Sequence, residues 1–191
     1  MKTLLVIIVS SCLLMIGCKN KSTPVPEKTD TATVKSMTVD ERTEKLEALK
    51  KLTPFGLADM QKLMPKEIEG AKQSNFNYSM QWGYASATAD FNKTKALGTT
   101  IQLYDCAGEE GSGYFTSNFY DKLNESKQDS VEYSKAVDLM GEKAIETYNR
   151  QVNYSTLTYM VNDRVLVVMQ GKKMKPDELK AIAQKINLKL S

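Results

Sequence analysis

The chain of 191 residues contains no histidine. Without an imidazole, the protein has no Ser-His-Asp or Cys-His nucleophile, no histidine general base and no histidine metal ligand. Nor is any serine followed three positions later by lysine, the arrangement of penicillin-recognising enzymes. A catalytic site would therefore depend on carboxylates, lysine or tyrosine. Paired carboxylates act at spatial separations of about 5 to 10 Å, which a sequence does not supply.

The chain also lacks a strong excess of one charge, because 26 Lys and Arg side chains stand against 23 Asp and Glu side chains. Proteins bind nucleic acid mainly through a basic surface, so we expect no nucleic-acid partner. The length favours one domain, at roughly 150 residues per domain, with room for appendages. The apolar fraction of 41% is sufficient for a buried core.

Long apolar runs are scarce, and the only one covers residues 4–16, directly after the positively charged start Met1-Lys2-Thr3. As a helix this run would be about 20 Å long, shorter than the roughly 30 Å of a bilayer's hydrocarbon core. A short apolar run behind a basic start is typical of a secretory signal that is removed. A signal that is retained as a tether is the alternative.

The apolar run ends in Leu14-Met15-Ile16-Gly17-Cys18. This segment resembles the lipobox of bacterial lipoproteins, in which a small residue precedes the cysteine that receives the lipid. The resemblance covers only the N-terminal signal region. It implies that a signal peptide of residues 1–17 is removed and that Cys18 carries acyl chains such as palmitate. Met15 departs from the lipobox pattern, which usually has Leu at this position, and an ordinary secretory signal is the alternative.

The resemblance also implies a location. In lipoproteins of Gram-negative bacteria, an Asp directly after the lipidated Cys often retains the protein at the inner membrane, whereas this chain has Lys19. The protein is therefore expected at the outer membrane, on its periplasmic or outer face. Two or three acyl chains would hold it firmly, because each buried methylene contributes about 0.8 kcal/mol.

Residues 18–39 have few aliphatic side chains, two prolines and five threonines. Such a composition does not form a core of its own. We predict a disordered or extended tether between the lipidated Cys18 and the folded domain.

Three cysteines are present, and the expected processing leaves one of them. Cys12 would leave with the signal and Cys18 would take the lipid, which leaves Cys106 without a disulfide partner. One thiol without histidine falls short of the four ligands of a structural zinc ion. Cys106 lies in a strand-like run with no adjacent Lys or Arg, which favours a small buried hydrophobic residue.

The hydrophobic periodicity predicts a single α+β domain over residues 40–191, built on an antiparallel sheet. Two short helices are predicted at the N-terminus, the first capped by Asp40 and ended by Thr53-Pro54, the second over residues 57–64. A third helix is expected over residues 114–124, and a fourth from Pro176, packed on the sheet.

Strands are predicted for residues 76–84, 85–91, 99–105, 131–137, 143–149, 152–161 and 164–170. The alternation changes phase near Gly83, which predicts a turn or bulge there. Asn162-Asp163 favours a tight hairpin, because both residues tolerate positive φ. Val165 to Met169 are apolar throughout and predict a central strand covered on both faces.

The strand predicted at residues 76–84 places four aromatic side chains on one side of an extended chain: Phe76, Tyr78, Trp82 and Tyr84. Such a stripe could stack on sugar rings or form an apolar ligand slot. Core packing explains the same residues without a ligand. These four residues are our candidates for ligand binding.

Residues 108–113 read Gly-Glu-Glu-Gly-Ser-Gly and are predicted to form a loop, with Ser112 capping the helix that follows. The glycine spacing is not the dinucleotide fingerprint, no P-loop lysine follows, and two glutamates would repel a phosphate. Asp105, Glu109 and Glu110 could offer oxygens to calcium, but their spacing matches no EF-hand. We expect no metal site and no cofactor.

The sequence thus favours a lipid-anchored cell-envelope protein that serves as a non-catalytic binding or accessory module, with another envelope protein as its partner. The alternative is a carrier that holds a small apolar, glycan or peptide ligand against residues 76–84. A carboxylate-dependent hydrolase is a third possibility. It would need two acidic side chains that converge in a cleft with raised pKa values.

Overall fold

A computed structural model describes residues 38–94, 97–186 and 188. The predicted signal peptide, Cys18 and all but the last two residues of the predicted tether lie outside the described residues. Within the described part of the chain, no helix is long and apolar enough to cross a bilayer.

The described chain is an antiparallel sheet with four α-helices, which confirms the predicted α+β class with one domain. The helices are α1 (Val39–Lys50), α2 (Leu57–Leu63), α3 (Gly108–Phe115) and α4 (Pro176–Lys185). The strands are β1 (Glu67–Ile68), β2 (Ala71–Lys72), β3 (Ser74–Ser79), β4 (Ser86–Asn92), β5 (Gly98–Asp105), β6 (Lys127–Gln128), β7 (Glu132–Leu139), β8 (Glu142–Asn149), β9 (Tyr154–Val161) and β10 (Val165–Lys172). A π-helical turn (Thr116–Tyr120) and a 3₁₀ turn (Asp121–Asn124) extend α3.

The main sheet has eight strands in the order β3-β4-β5-β10-β9-β8-β7-β6, and β1 pairs with β2 in a separate ladder. The last strand in sequence lies in the middle, because β10 pairs with β5 on one side and β9 on the other. Asn162 and Asp163 both have a φ of 53° and join β9 to β10, which confirms the predicted hairpin.

Alternation along β10 places its side chains in two apolar clusters on opposite faces of the sheet. Val165, Val167 and Met169 belong to a cluster with residues of α2 and α4. Leu166 belongs to a second cluster with Leu49 of α1 and residues of α3 and its extension. Helices therefore cover the central strand on both faces, as its continuous apolar sequence predicts.

The first helix begins earlier than predicted. Thr38, not Asp40, is the N-cap: its hydroxyl accepts a hydrogen bond from the Glu41 backbone N–H, and the Glu41 carboxylate accepts one from the Thr38 N–H. This reciprocal arrangement is a capping box. Asp40 lies in the first turn, where its negative charge favours the positive end of the helix dipole.

The glycine-rich segment 108–113 is helical, so the predicted loop is wrong, and α3 begins at Gly108. Ser112 is a buried residue inside this helix, and its hydroxyl donates to the Glu109 carbonyl, so the predicted capping role is also wrong. A Cβ atom at Gly111 would lie 2.6 Å from the Cys106 carbonyl carbon. Glycine is required at position 111 because the helix packs directly on the backbone that follows β5.

Candidate functional site

The predicted aromatic stripe is divided in the structure, because β3 ends at Ser79 and the chain turns before β4 begins. Phe76 and Tyr78 are half-buried and pack against the cluster beneath α2 and α4. Trp82 is 67% exposed in the connection between the strands. Tyr84 is half-buried and contacts two other tyrosines. The four candidate residues therefore do not form one continuous ligand slot.

Gly83 explains the break in the strand pattern. Its φ is +80°. Its N–H closes a turn by donating a hydrogen bond to the Met80 carbonyl, with an N···O distance of 3.3 Å. A Cβ atom at this position would lie 2.7 Å from the Glu110 Cγ. The predicted turn near Gly83 is confirmed. It brings the tip of the β3–β4 connection, residues 80–83, against the start of α3.

One side of the tip is held by a tyrosine cluster. The ring centroids of Tyr84 and Tyr114 lie 4.8 Å apart, and those of Tyr104 and Tyr114 lie 4.6 Å apart. Aromatic pairs at such distances contribute about 0.5–1.5 kcal/mol beyond the area they bury. Burial, with the neighbouring Tyr104, raises the pKa of Tyr84, and burial raises that of Tyr114. These phenols therefore stay neutral across the physiological range.

The other side of the tip is tied to the α1–α2 connection. The Tyr78 hydroxyl donates to the Phe55 carbonyl at 3.1 Å, and the Phe55 N–H donates to the Asp105 carboxylate at 2.6 Å. The Arg164 guanidinium binds the same carboxylate at 2.7 and 2.8 Å and lies over the Phe55 ring. The chain is therefore held on both sides of the tip, by the hydrogen bond of Tyr78 before it and by the ring contacts of Tyr84 after it.

We call the exposed part of this end the Trp82 surface and define it as Met80, Trp82, Gly83, Glu109 and Glu110. Trp82 is the only tryptophan of the chain, and Met80 beside it is 43% exposed. Glu109 forms an exposed ion pair with Lys50 at 3.5 Å. Glu110 is exposed and has no ion pair within the described ranges. The surface therefore combines large apolar side chains with negative charge.

The three carboxylates near this end, Asp105, Glu109 and Glu110, lie in different environments. Asp105 is fully buried, and its oxygens are occupied by Arg164 and by the N–H groups of Phe55 and Ala107. Glu109 and Glu110 lie on the exposed side of α3. No group of three or more Cys, Asp or Glu side chains suited to a metal ion occurs among the described residues.

Cys106 is fully buried, as predicted for a small hydrophobic residue. It packs in the cluster formed by α1 and α3. Burial raises the pKa of its thiol to about 12, and the Asp105 carboxylate acts in the same direction. The thiol is therefore protonated and shielded at neutral pH.

Sequence reasoning missed the burial of two acidic residues, Asp105 and Glu146, of which Glu146 in β8 is 2% exposed beneath α4. The Tyr133 hydroxyl donates a hydrogen bond to the Glu146 Oε1 at 2.6 Å. Lys180 Nζ lies 3.0 Å from the Glu146 Oε2 and forms an ion pair with it, but the angles at these two atoms do not meet the geometry of a hydrogen bond. Burial lowers the pKa of Lys180, but Glu146 and Asp177 raise it by more. Burial and the bond to Glu146 raise the pKa of Tyr133.

The Glu146 cluster does not line the cavity of about 280 Å³ that lies at the other end of the sheet from Trp82. None of the four aromatic candidates lines it. The burial of Glu146 could not be read from the sequence, because charged side chains of a strand normally lie on its solvent face.

Comparisons with known proteins identify no relative of this chain. No family model, curated protein or solved structure matches it.

Proposed function

We propose that this protein is a lipid-anchored cell-envelope protein that acts as a non-catalytic binding module, with the Trp82 surface as its contact with a partner protein. The observation that carries the proposal is the chain's single tryptophan, which is 67% exposed at a turn held from both sides. Tryptophan is buried in most proteins, and exposed aromatic anchors are frequent in binding hot spots.

The fixed geometry of the turn supports binding. A backbone segment that is already restricted loses little conformational freedom when a partner covers it, and each side chain that the partner immobilises costs about 0.5–1.5 kcal/mol. Gly83 against Glu110, the tyrosine cluster and the Tyr78–Phe55 hydrogen bond all restrict the tip before binding.

Charge favours a protein partner over the bilayer. Glu109 and Glu110 belong to this surface; Glu109 is paired with Lys50, and among the residues that the structure describes Glu110 has no ion pair. An anionic lipid surface would place like charges together, which opposes docking. The partner is expected to offer an apolar pocket for Trp82 with basic side chains at its rim.

The anchor is part of the proposal. Cys18 would hold the protein to the outer membrane through acyl chains, and the segment before Thr38 would give the domain reach. Mass spectrometry of the purified native product tests this step. A mature N-terminus at Cys18 with a diacylglycerol mass supports it, whereas an intact Met1 and a free thiol at position 18 would refute it.

A non-catalytic role is supported by the state of the buried carboxylates. Asp105 is bound by Arg164 and Glu146 by Lys180, so each of these buried carboxyl groups already has a cationic partner. A general acid in a hydrolase needs a raised pKa and access to substrate.

Binding at the Trp82 surface is tested with two variants of the full chain, Trp82→Ala and Val152→Ala. Val152 is 54% exposed in the β8–β9 turn, at the opposite end of the sheet. Native membranes are solubilised and the stoichiometric partner is quantified. Loss of a hot-spot side chain costs at least about 2 kcal/mol, so Trp82→Ala should retain less than about a tenth of the partner while Val152→Ala retains it fully. An equal yield from both variants would refute the assignment.

A further inference from the structure

The cavity of about 280 Å³ lies between α4, the β1–β2 ladder and the ends of β4 and β5 that face away from Trp82. Its walls are mainly apolar: Ile68, Phe91, Leu97, Met174, Ala181 and Ile182. Sites for drug-sized ligands have volumes of roughly 300–1,000 Å³. The cavity therefore suits a smaller molecule, on the order of ten non-hydrogen atoms.

One buried polar side chain lies in this apolar setting. Thr99, the second residue of β5, lines the cavity and is only 3% exposed. Its hydroxyl forms no hydrogen bond with any of the residues that the structure describes, and its oxygen is not sealed off, because Glu146 Oε2 is the one fully buried side-chain polar atom without a hydrogen bond among those residues. A ligand in the cavity that offers one hydrogen-bonding group can therefore bond to this hydroxyl in place of water.

The charges at the mouth already have partners. The Glu69 carboxylate binds Lys93 at 2.8 Å and Lys185 at 3.4 Å. The Glu178 carboxylate accepts a hydrogen bond from the Lys175 N–H at 2.7 Å, at the start of α4. An ionised ligand at Glu69 or Lys93 would have to separate that ion pair, and an anion would also be repelled by Glu178, whereas a neutral ligand would do neither.

We propose that this cavity is a second binding site, separate from the Trp82 surface, for a small neutral molecule that is mostly apolar and has one hydrogen-bonding group. The apolar walls remove the ligand from water, and Thr99 selects the hydrogen-bonding group. The Glu69–Lys93 ion pair and the Glu178 carboxylate lie in the lining and disfavour ionised molecules, anions above all.

Indole is a suitable probe because it is neutral, has nine non-hydrogen atoms and carries one N–H donor. Its affinity is measured by calorimetry on the full chain, with two variants on exposed positions of α4. Ala181→Phe places a ring at the mouth, whereas Gln184→Phe adds the same ring one turn away, outside the cavity lining. Any uptake of indole by the membrane is the same in both variants and cancels in the comparison.

We expect saturable binding by the wild-type chain, at least tenfold weaker binding by Ala181→Phe and unchanged binding by Gln184→Phe. Equal affinities in the two variants, or no saturable binding below about 10 mM, would overturn the proposal. Because Ala181 and Gln184 are both exposed, matching thermal unfolding temperatures will show that neither variant is unfolded.

Thr99→Val tests the role of the hydroxyl and nearly conserves the side-chain volume. The second probe is indene, which has the shape of indole without the N–H donor. We expect the wild-type chain to prefer indole to indene by about fivefold, and Thr99→Val to bind both equally, since one hydrogen bond contributes about 1 kcal/mol. A preference that survives in Thr99→Val would overturn the assignment of Thr99.

Discussion

The Asp105 carboxylate connects three segments of the described chain. It is fully buried and accepts hydrogen bonds from Arg164, Phe55 and Ala107. Through these bonds it joins the end of β5, the start of β10 and the α1–α2 connection. A buried ion pair adds little net stability, but removal of one partner leaves an unpaired charge and costs about 3–5 kcal/mol.

We therefore predict that Asp105→Asn lowers the free energy of unfolding by about 3 kcal/mol, because Arg164 would lose its counter-charge. Asp163→Asn is the matched control: Asp163 is 93% exposed and paired with Lys45, and such surface pairs contribute about 0–1 kcal/mol. Urea unfolding of both variants gives the comparison. Similar losses in the two variants would show that the buried pair has no special role.

Burial of Cys106 predicts an unreactive thiol. With a pKa of about 12, only on the order of one thiol in ten thousand is ionised at pH 8. We expect the peptide that contains Cys106 to remain unmodified by iodoacetamide in the native protein at pH 8 and to be fully modified in concentrated guanidinium. Mass spectrometry measures both fractions. Rapid modification of the native protein would mean that the thiol is accessible.

Asp90 predicts a specific pH dependence. Hydrogen bonds from the Asn75 amide and the Thr100 hydroxyl lower the pKa of Asp90, although burial opposes them. A lowered carboxyl pKa in the folded state stabilises the protein above about pH 3.9, the usual value for an unfolded Asp, and this contribution is lost as pH falls through the folded value.

Thr100→Val removes one of the two side-chain donors and should move the pKa of Asp90 back toward its usual value. We expect the wild-type chain to be more stable than Thr100→Val at pH 7, with the difference shrinking as pH falls from 4 to 2. Urea midpoints across this range test the sign. A difference that stays constant with pH would exclude Asp90 as its source.

At the level of elements, α3 shows where local sequence and tertiary packing disagree. Glycines have low helix propensity, so residues 108–113 look like a loop. The helix forms nevertheless because its start packs on the backbone at Asp105 and Cys106, where a Cβ atom at Gly111 would clash. No pattern in the local sequence indicates that Gly111 packs on the backbone of Asp105 and Cys106.

Two glycines of α3 give a matched pair of variants. Gly111→Ala should lower the free energy of unfolding by about 1–3 kcal/mol, since the new methyl group meets rigid backbone atoms. Gly113→Ala should raise it by about 0.5–1 kcal/mol, because nothing lies within 4 Å and alanine favours the helix. Chemical denaturation provides both values. Equal effects would contradict the packing described for α3.

The β3–β4 connection shows a related limit. Alternation from Phe76 to Tyr84 predicts one strand, whereas the structure ends β3 at Ser79 and exposes Trp82. Alternation reports which side a side chain would take in an extended chain, and it does not reveal where pairing stops. The phase change near Gly83 was the signal that located the turn.

At the scale of the molecule, the predicted class and the central strand are confirmed because they depend on long, regular patterns. Ten strands and four helices are described, and β10 lies between β5 and β9 with helices on both faces. The buried position of Glu146, the cavity near Thr99 and the tyrosine cluster depend on contacts between distant segments, which a single sequence does not encode in any local pattern.

The proposed function also belongs to this scale, because it assigns different tasks to the two ends of the sheet. The Trp82 surface would contact the partner protein, the opposite end holds the cavity, and Cys18 would supply the anchor. Residues Gln81 and Gln151 are both exposed and lie in turns at these two ends. A substitution at either position leaves the core unchanged, so the contacts made by the two ends of the sheet can be compared directly.

The most direct test is photo-crosslinking in living cells, with a photoreactive amino acid placed at position 81 in one chain and at position 151 in another. We predict a single protein adduct of defined mass from position 81, lost when Trp82→Ala is added, and no such adduct from position 151. Equal adducts from both positions, adducts to lipid alone, or none from position 81 would contradict the proposed partner contact.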